Sequence, residues 1–181
     1  MAPGGRAALG APHAVDIDAD AIAWAADHLP WARFQVGPTW PPLPYPDGYF
    51  DLVVNHSVFS HLDARYQDAW LQELRRVTRP GAYLLLSFHG DHAFDRMCES
   101  TEAVGGNAEP HRHSRAASGI LFFEDDLWTG GPFPDFYHST FHAPEYMRGH
   151  WGQFFEICSL LERRALGYQD IVVLRHPMSG H

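Results

Sequence analysis

From Ala82 to Phe88 the chain is almost unbroken apolar sequence, preceded by Pro80-Gly81 and followed by the polar pair His89-Gly90. The run is far short of the roughly 20 residues needed to cross a bilayer. It also lacks the strict alternation of a half-exposed strand. A short run of this kind reads as a strand covered on both faces, and such strands belong to parallel sheets packed between helices.

The neighbouring sequence repeats the same logic. Asp51 to Asn55, with its Leu-Val-Val centre, is a second buried strand, ending in the polar group Asn55, His56 and Ser57. Between the two, Tyr66, Trp70, Leu74 and Val77 line one helical face, with Asp63 as its cap and Pro80-Gly81 as its stop. Upstream, His13 to Ile17 reads as a short strand, after which Ile22, Ala25, Ala26 and Leu29 recur at helical spacing up to Pro30. Asp18 is placed to accept from the free amides of that helix's first turn, where Asp20 adds favourable charge. Phe34 to Val36 reads as another short strand, and the proline-rich stretch Gly37 to Gly48 is irregular because each proline removes a backbone donor. Alternating helices and buried strands predict an α/β fold with a mostly parallel sheet covered by helices on both faces.

Past His89 the pattern weakens. Gly90 to Arg115 is polar, His-rich and Gly-rich, with only Ala93 to Cys98 suggesting a helix, and it reads as a loop or lid. Ile120 to Glu124 predicts a short strand and Pro144 to Trp151 a short helix begun by proline. Phe154 to Leu161 with Ile171 to Leu174 predicts a closing strand pair joined through Gly167. A chain of 181 residues with 45% hydrophobic content supports one domain. Its first part, about 14–89, and its second, about 90–176, differ in character.

Charge and cysteines narrow the partners. A net charge of -9, with 22 acidic against 13 basic residues, excludes a nucleic-acid backbone as the main partner, because phosphate binding needs clustered cations. Arg75, Arg76 and Arg79 form the one tight basic group, and at a predicted helix end they read as complementing the helix dipole. Cys98 and Cys158 build no disulfide framework, and Met1 to Ala14 lacks the apolar stretch of a signal peptide, so a reducing cytoplasm is the expected compartment.

Three ordered stretches carry a family likeness: Val15-Asp16-Ile17-Asp18, then Pro41 to Val53 (PPLPYPDGYFDLV), then Arg79 to Leu86 (RPGAYLLL). In wording and order this sequence resembles the class I, Rossmann-like, S-adenosylmethionine-dependent methyltransferases, over roughly Ala14 to His89. The resemblance implies transfer of a methyl group from S-adenosylmethionine to a small-molecule acceptor. It also implies a seven-stranded sheet finished by the antiparallel C-terminal pair. The alternative is a degenerate, non-catalytic domain acting as a binding or partner module.

The resemblance also implies a site. An acidic side chain ending the second strand of such a sheet accepts the cofactor's ribose hydroxyls, and Asp16, next to Ile17, holds that place; read by itself, it is a turn residue or helix cap. Thr39 and Trp40 fall where the family contacts adenine, Trp40 being free to stack on a ring or to pack as core. Asn55, His56 and Ser57 fall around the methionine moiety, or form an ordinary strand-end cluster. His61, in Val58 to Leu62 (VFSHL), matches a histidine that lies beside the family's pocket, or anchors the loop into the following helix. His89 is the candidate base, because imidazole titrates near neutral pH.

One element departs from the family pattern. Its first strand and glycine-rich turn should precede Asp16 by a full helix. Only Gly4-Gly5-Arg6 stands there, which leads one to expect a missing or degenerate first strand and weak cofactor binding. Thirteen histidines raise metal chemistry, through His111 and His113, His138 and His142, or His56, His61 and His89, but none has a convincing ligand spacing and no metal is expected. No Gly-x-Ser-x-Gly elbow or catalytic cysteine setting supports a nucleophilic enzyme.

Overall fold

The computed structural model describes residues 10, 12–124 and 133–178; Gly4-Gly5-Arg6 therefore lies outside the described residues. Two compact units are present, one up to Thr39 and one from Trp40 onward.

The first unit is a strand–helix–strand: β1 (His13–Asp16), α1 (Ala19–His28) and β2 (Arg33–Val36), with β1 and β2 parallel. Asp18 is the N-cap of α1, accepting from the Asp20 and Ala21 amides at 3.0 Å each, and Ile22 is the one residue of the helix fully buried.

The second unit is built on a four-stranded sheet of β3 (Phe50–Asn55), β4 (Thr78–Phe88), β7 (Glu156–Ala165) and β8 (Gln169–Arg175), in the order β3-β4-β8-β7. β3 and β4 run parallel, while β8 is antiparallel to both β4 and β7. The helix α2 (Ala64–Val77) crosses between β3 and β4, capped by Asp63, whose carboxylate accepts from the Tyr66 amide at 2.8 Å. The buried row of α2 is Gln67, Leu71, Leu74 and Val77, a face turned slightly from the expected one, so that Tyr66 and Trp70 are only partly buried. Leu71 and Leu74 pack on Leu84, Leu86, Val172 and Leu174 of the sheet, together with Phe59, Met147, Trp151 and Phe155. Each full side chain of this size that is buried contributes about 1.5 to 3 kcal/mol, which fixes the helix on the sheet.

Three expectations change. Pro80-Gly81 does not stop α2: the helix ends at Val77 and β4 already starts at Thr78, with Gly81 at φ +85° where its amide bonds to the His176 carbonyl at 2.9 Å. Gly90 to Arg115 is mostly helical rather than a loop, forming α3 (Asp91–Ala103) and part of α4 (Glu109–Ser118). Its apolar residues Ala93, Phe94, Met97 and Cys98 share one narrow face and pack against Ala108, Leu121, Phe123 and Phe141. With so few apolar residues, tertiary contact outweighs the weak periodicity. The pair β5 (Ile120–Phe123) and β6 (Ser139–His142) forms a separate two-stranded sheet, and α5 (Pro144–Gly149) follows it.

The third change concerns the arginines. Arg76 is a clamp rather than a dipole partner: its guanidinium donates to the carbonyls of Leu43 (3.1 Å) and Tyr45 (2.8 Å), to Asp47 (2.8 Å) and to Glu73 (2.6 Å). Glu73, 6% exposed, in turn accepts from the Leu43 amide at 2.7 Å. Burial alone would raise the Glu73 carboxyl, but the bonds from Arg76 and Leu43 bring it below its ordinary value. The proline-rich segment, which can make few ladder bonds of its own, is thereby tied to α2. Arg76→Ala leaves the Glu73 carboxylate half-satisfied and is expected to destabilise the fold. Chemical denaturation checks this, and a cost near zero at neutral pH would show that water replaces the clamp.

Candidate functional site

In open α/β sheets, ligand sites lie outside the carboxyl ends of parallel strands. In the second unit those ends belong to β3 and β4, whose register sets Asn55 beside Leu86. Polar groups collect there. Ser57, just past β3, sits at φ +56°, and its amide donates to Ser87 Oγ of β4 at 2.7 Å. Ser57 Oγ is 3.2 Å from His61 Nε2, and His61 Nδ1 is 3.1 Å from the His138 carbonyl. His89, just past β4 and 5% exposed, has its Nε2 at 3.3 Å from the side-chain nitrogen of Gln169.

Gln169 joins these groups. It stands at the first residue of β8, 7% exposed, and its Oε1 accepts from Ser87 Oγ at 2.7 Å. Its Nε2 faces Ser57 Oγ at 3.0 Å and Ser60 Oγ at 3.4 Å as well as His89. Gln169 escaped the sequence reading because it lies 80 to 112 residues from its partners and belongs to no motif.

Aromatic rings close one side. Tyr137 stacks on His61 with centroids 4.1 Å apart, and Phe133 stacks on Tyr137 at 4.3 Å. Tyr168 meets the His89 ring edge-on at 5.5 Å. Burial, and then the neighbouring His61, lowers His89 to about 4, so the near-neutral titration expected of it does not hold in the folded chain. Deeper in the same unit, burial and then His89 lower His142 to about 3.

The remaining expected residues fall as follows. Asp16 ends β1, is exposed, and accepts the Asp18 amide at 2.9 Å through one oxygen; Ile17 follows it, half-buried. Thr39 ends the first unit and Trp40 begins the second. Trp40 is not core: it is 39% exposed, edge-on to Tyr66 at 4.8 Å, with the Arg65 guanidinium 5.2 Å from its ring. His56 is exposed, and Asn55 is half-buried with its Oδ1 enclosed and without a hydrogen-bond partner. The structure thus brings Ser57, His61 and His89 into one network. Among the described residues no group of three or more His, Cys, Asp or Glu is arranged to hold a metal ion, and no helix is long and apolar enough to cross a membrane.

This arrangement has known counterparts. Residues 5–86 match the family model described as a methyltransferase domain. Among solved structures, the chain is similar over 92% of its length to an S-adenosylmethionine-dependent methyltransferase from Methanosarcina mazei, with a TM-score of 0.58, 21% identity and 82% of that chain covered. A structure concerning the conversion of a disulfide bond into a thioacetal group during echinomycin biosynthesis gives a TM-score of 0.58 at 16% identity, over 93% of this chain and 68% of that one. The 1,6-didemethyltoxoflavin-N1-methyltransferase of Burkholderia thailandensis, solved with 1,6-didemethyltoxoflavin and S-adenosylhomocysteine bound, gives 0.50 at 13% identity, over 91% and 60%. Residues 5–86 are thus similar in sequence to a methyltransferase domain, and nearly the whole length of the chain has the fold of S-adenosylmethionine-dependent methyltransferases.

Proposed function

We propose that this protein transfers a methyl group from S-adenosylmethionine to a small-molecule acceptor. The observation that carries the reading is the buried polar network at the aligned carboxyl ends of β3 and β4, in a chain whose residues 5–86 match a methyltransferase domain. The cofactor supplies an electrophilic methyl carbon on sulfur, so the protein's task is to align an acceptor with it and to take up any proton released.

Each unit, taken by itself, offers an acceptor that would suit part of such a group. Asn55 Oδ1 is an enclosed acceptor without a partner, suited to the ammonium of the methionine moiety. One oxygen of Asp16 is engaged by the Asp18 amide, which leaves the other for a ribose hydroxyl. Ile17, Thr39 and the exposed ring of Trp40 are proposed adenosine contacts, and His56, Ser57 and His61 are proposed to lie about the reacting centre. The stacked rings of Phe133 and Tyr137 supply an apolar wall for the acceptor.

Calorimetric titration with S-adenosylhomocysteine tests the reading. Saturable binding supports it, and no binding at millimolar ligand would favour a non-catalytic binding module instead. The two acidic residues of the first unit should separate. Asp16→Ala removes a charged acceptor worth about 1.5 to 3 kcal/mol, so affinity should fall roughly tenfold to a hundredfold. Asp18→Ala removes a helix cap at a cost of about 1 kcal/mol in stability and leaves affinity unchanged once folded. The reverse outcome would place the ribose contact elsewhere.

A further inference from the structure

We infer that Gln169 is the positioning residue of this site, directing the Ser57 hydroxyl onto His61 and thereby making the Ser57–His61 pair, rather than His89, the group that receives a proton. The inference rests on the methyltransferase reading for its function but on hydrogen-bond direction for its geometry.

The direction follows from one fixed point. A backbone carbonyl only accepts, so the contact between His61 Nδ1 and the His138 carbonyl at 3.1 Å requires a proton on Nδ1. In a neutral imidazole Nε2 is then bare, and it must accept from Ser57 Oγ at 3.2 Å. The Ser57 hydroxyl has thus used its only proton, and the Gln169 group 3.0 Å from it must be the donor end of the amide. That sets Oε1 toward the Ser87 hydroxyl, 2.7 Å away, while Ser87 Oγ also accepts the Ser57 amide. With its NH₂ so turned, Gln169 has two protons for Ser57 Oγ, Ser60 Oγ at 3.4 Å and His89 Nε2 at 3.3 Å; we assign the second to a bare His89 Nε2 and place the His89 proton on Nδ1, which is buried without a hydrogen-bond partner.

Two consequences follow. His89 spends its one basic lone pair on Gln169, inside the protein, so it cannot take a proton from an acceptor. Ser57, half-buried at the end of β3 and held at φ +56°, is the member of the network nearest the strand end. Bound S-adenosylmethionine would supply the electrophilic methyl carbon and keep the carbon–sulfur electron pair on its sulfur, and an acceptor methylated by it would have a proton to release. Its proton goes to Ser57 Oγ while the Ser57 proton goes to His61 Nε2, giving an imidazolium backed by the His138 carbonyl. In this role His61 is the proton acceptor, Ser57 the relay, and Gln169 acts only through them.

The test is ¹⁵N NMR of the histidine rings in the full chain without ligand at neutral pH. His61 and His89 should both carry the proton on Nδ1 and show a bare Nε2. Gln169→Glu keeps the shape but cannot donate. The His89 proton should therefore move to Nε2, and the Ser57 hydroxyl should turn away from His61. His142, which donates through Nε2 to Gln67 at 3.0 Å, should keep its tautomer as an internal control. Should Gln169→Glu fail to fold, Ser57→Ala serves: His61 loses its donor while His89, still facing Gln169, is unchanged. A wild-type His89 protonated on Nε2 would mean the amide is reversed and would overturn the inference. So would a Gln169→Glu or Ser57→Ala spectrum identical to wild type. Because these readouts need no cofactor, they fail independently of the methyltransferase reading, which calorimetry decides.

Discussion

Acidification from about pH 6.5 to about pH 4.5 is expected to remove about 3 to 5 kcal/mol of folding stability, most of it above the carboxylate range. Burial holds His89 at about 4 and His142 at about 3, against an ordinary value of 6.5. Both folded values are depressed. Their contribution is therefore fully present above pH 6.5 and is lost as the pH falls toward the folded values, because the unfolded chain takes up protons that the folded chain refuses. Each histidine contributes a slope of about 1.4 kcal/mol per pH unit within that window. His176, also lowered by burial, adds in the same direction, whereas Asp170, raised by burial, acts oppositely and only nearer the carboxylate range. Glu73, lowered, adds its own loss only below its ordinary value of 4.5. Urea denaturation at pH 7.5, 6.5, 5.5 and 4.5 reads the slope, the last three spanning the window. The variant His142→Gln should be less stable at pH 7.5 but lose roughly half of that slope. A flat profile across the window, or an unchanged slope in the variant, would sink the assignment.

Gln67→Leu is expected to cost about 3 to 5 kcal/mol at neutral pH, among the largest effects of any single substitution in the chain. Gln67 is fully buried at the centre of α2's inner face. Its amide nitrogen donates to the carbonyls of Leu62 at 2.7 Å and Phe59 at 3.3 Å, and its oxygen accepts from His142 Nε2 at 3.0 Å and Trp151 Nε1 at 3.2 Å. Leucine fills a similar volume but leaves the Trp151 and His142 donors unmet in a dry core, at about 1 to 3 kcal/mol for each group. The Leu62 carbonyl keeps one partner, the Thr140 hydroxyl at 2.7 Å, which limits the loss there. For a chain of this size the shift corresponds to a fall in Tm on the order of 10 °C. A double-mutant cycle with His142→Gln should be strongly non-additive, because the two residues share one network. A loss under about 1 kcal/mol, or simple additivity, would show that the network is not a unit.

How far the chain explains itself depends on how far apart the interacting residues lie. The caps Asp18 and Asp63 and the proline that opens α5 are settled by partners within a few positions, and each stands where the local pattern puts it. The same is true of the alternation that makes the fold α/β and of the position of Ser57 and His89 past strand ends. The strands β3, β4 and β8 occupy the expected apolar runs, but their partners are distant: β4 already starts at Thr78, and β3, read as a buried strand, leaves Leu52 55% and Val54 68% exposed. Of α3 only Ala93 to Cys98 was legible, and α4 not at all, because the apolar face of α3 is narrow and α4 buries no residue of its own. Nor was the use of Arg76, whose carbonyl partners have no side-chain signature in sequence. The polar centre was least legible of all. Gln67 and Gln169 look like surface residues to any local rule, since an amide is buried only where several donors and acceptors from distant elements meet it. Tertiary structure alone decided that Gln169 would sit between Ser57, Ser87 and His89. It also decided that His89, whose ordinary value lies near neutral, would be driven down to about 4. Sequence determines which groups can be charged, and the desolvation that decides whether they are is a property of the packed chain.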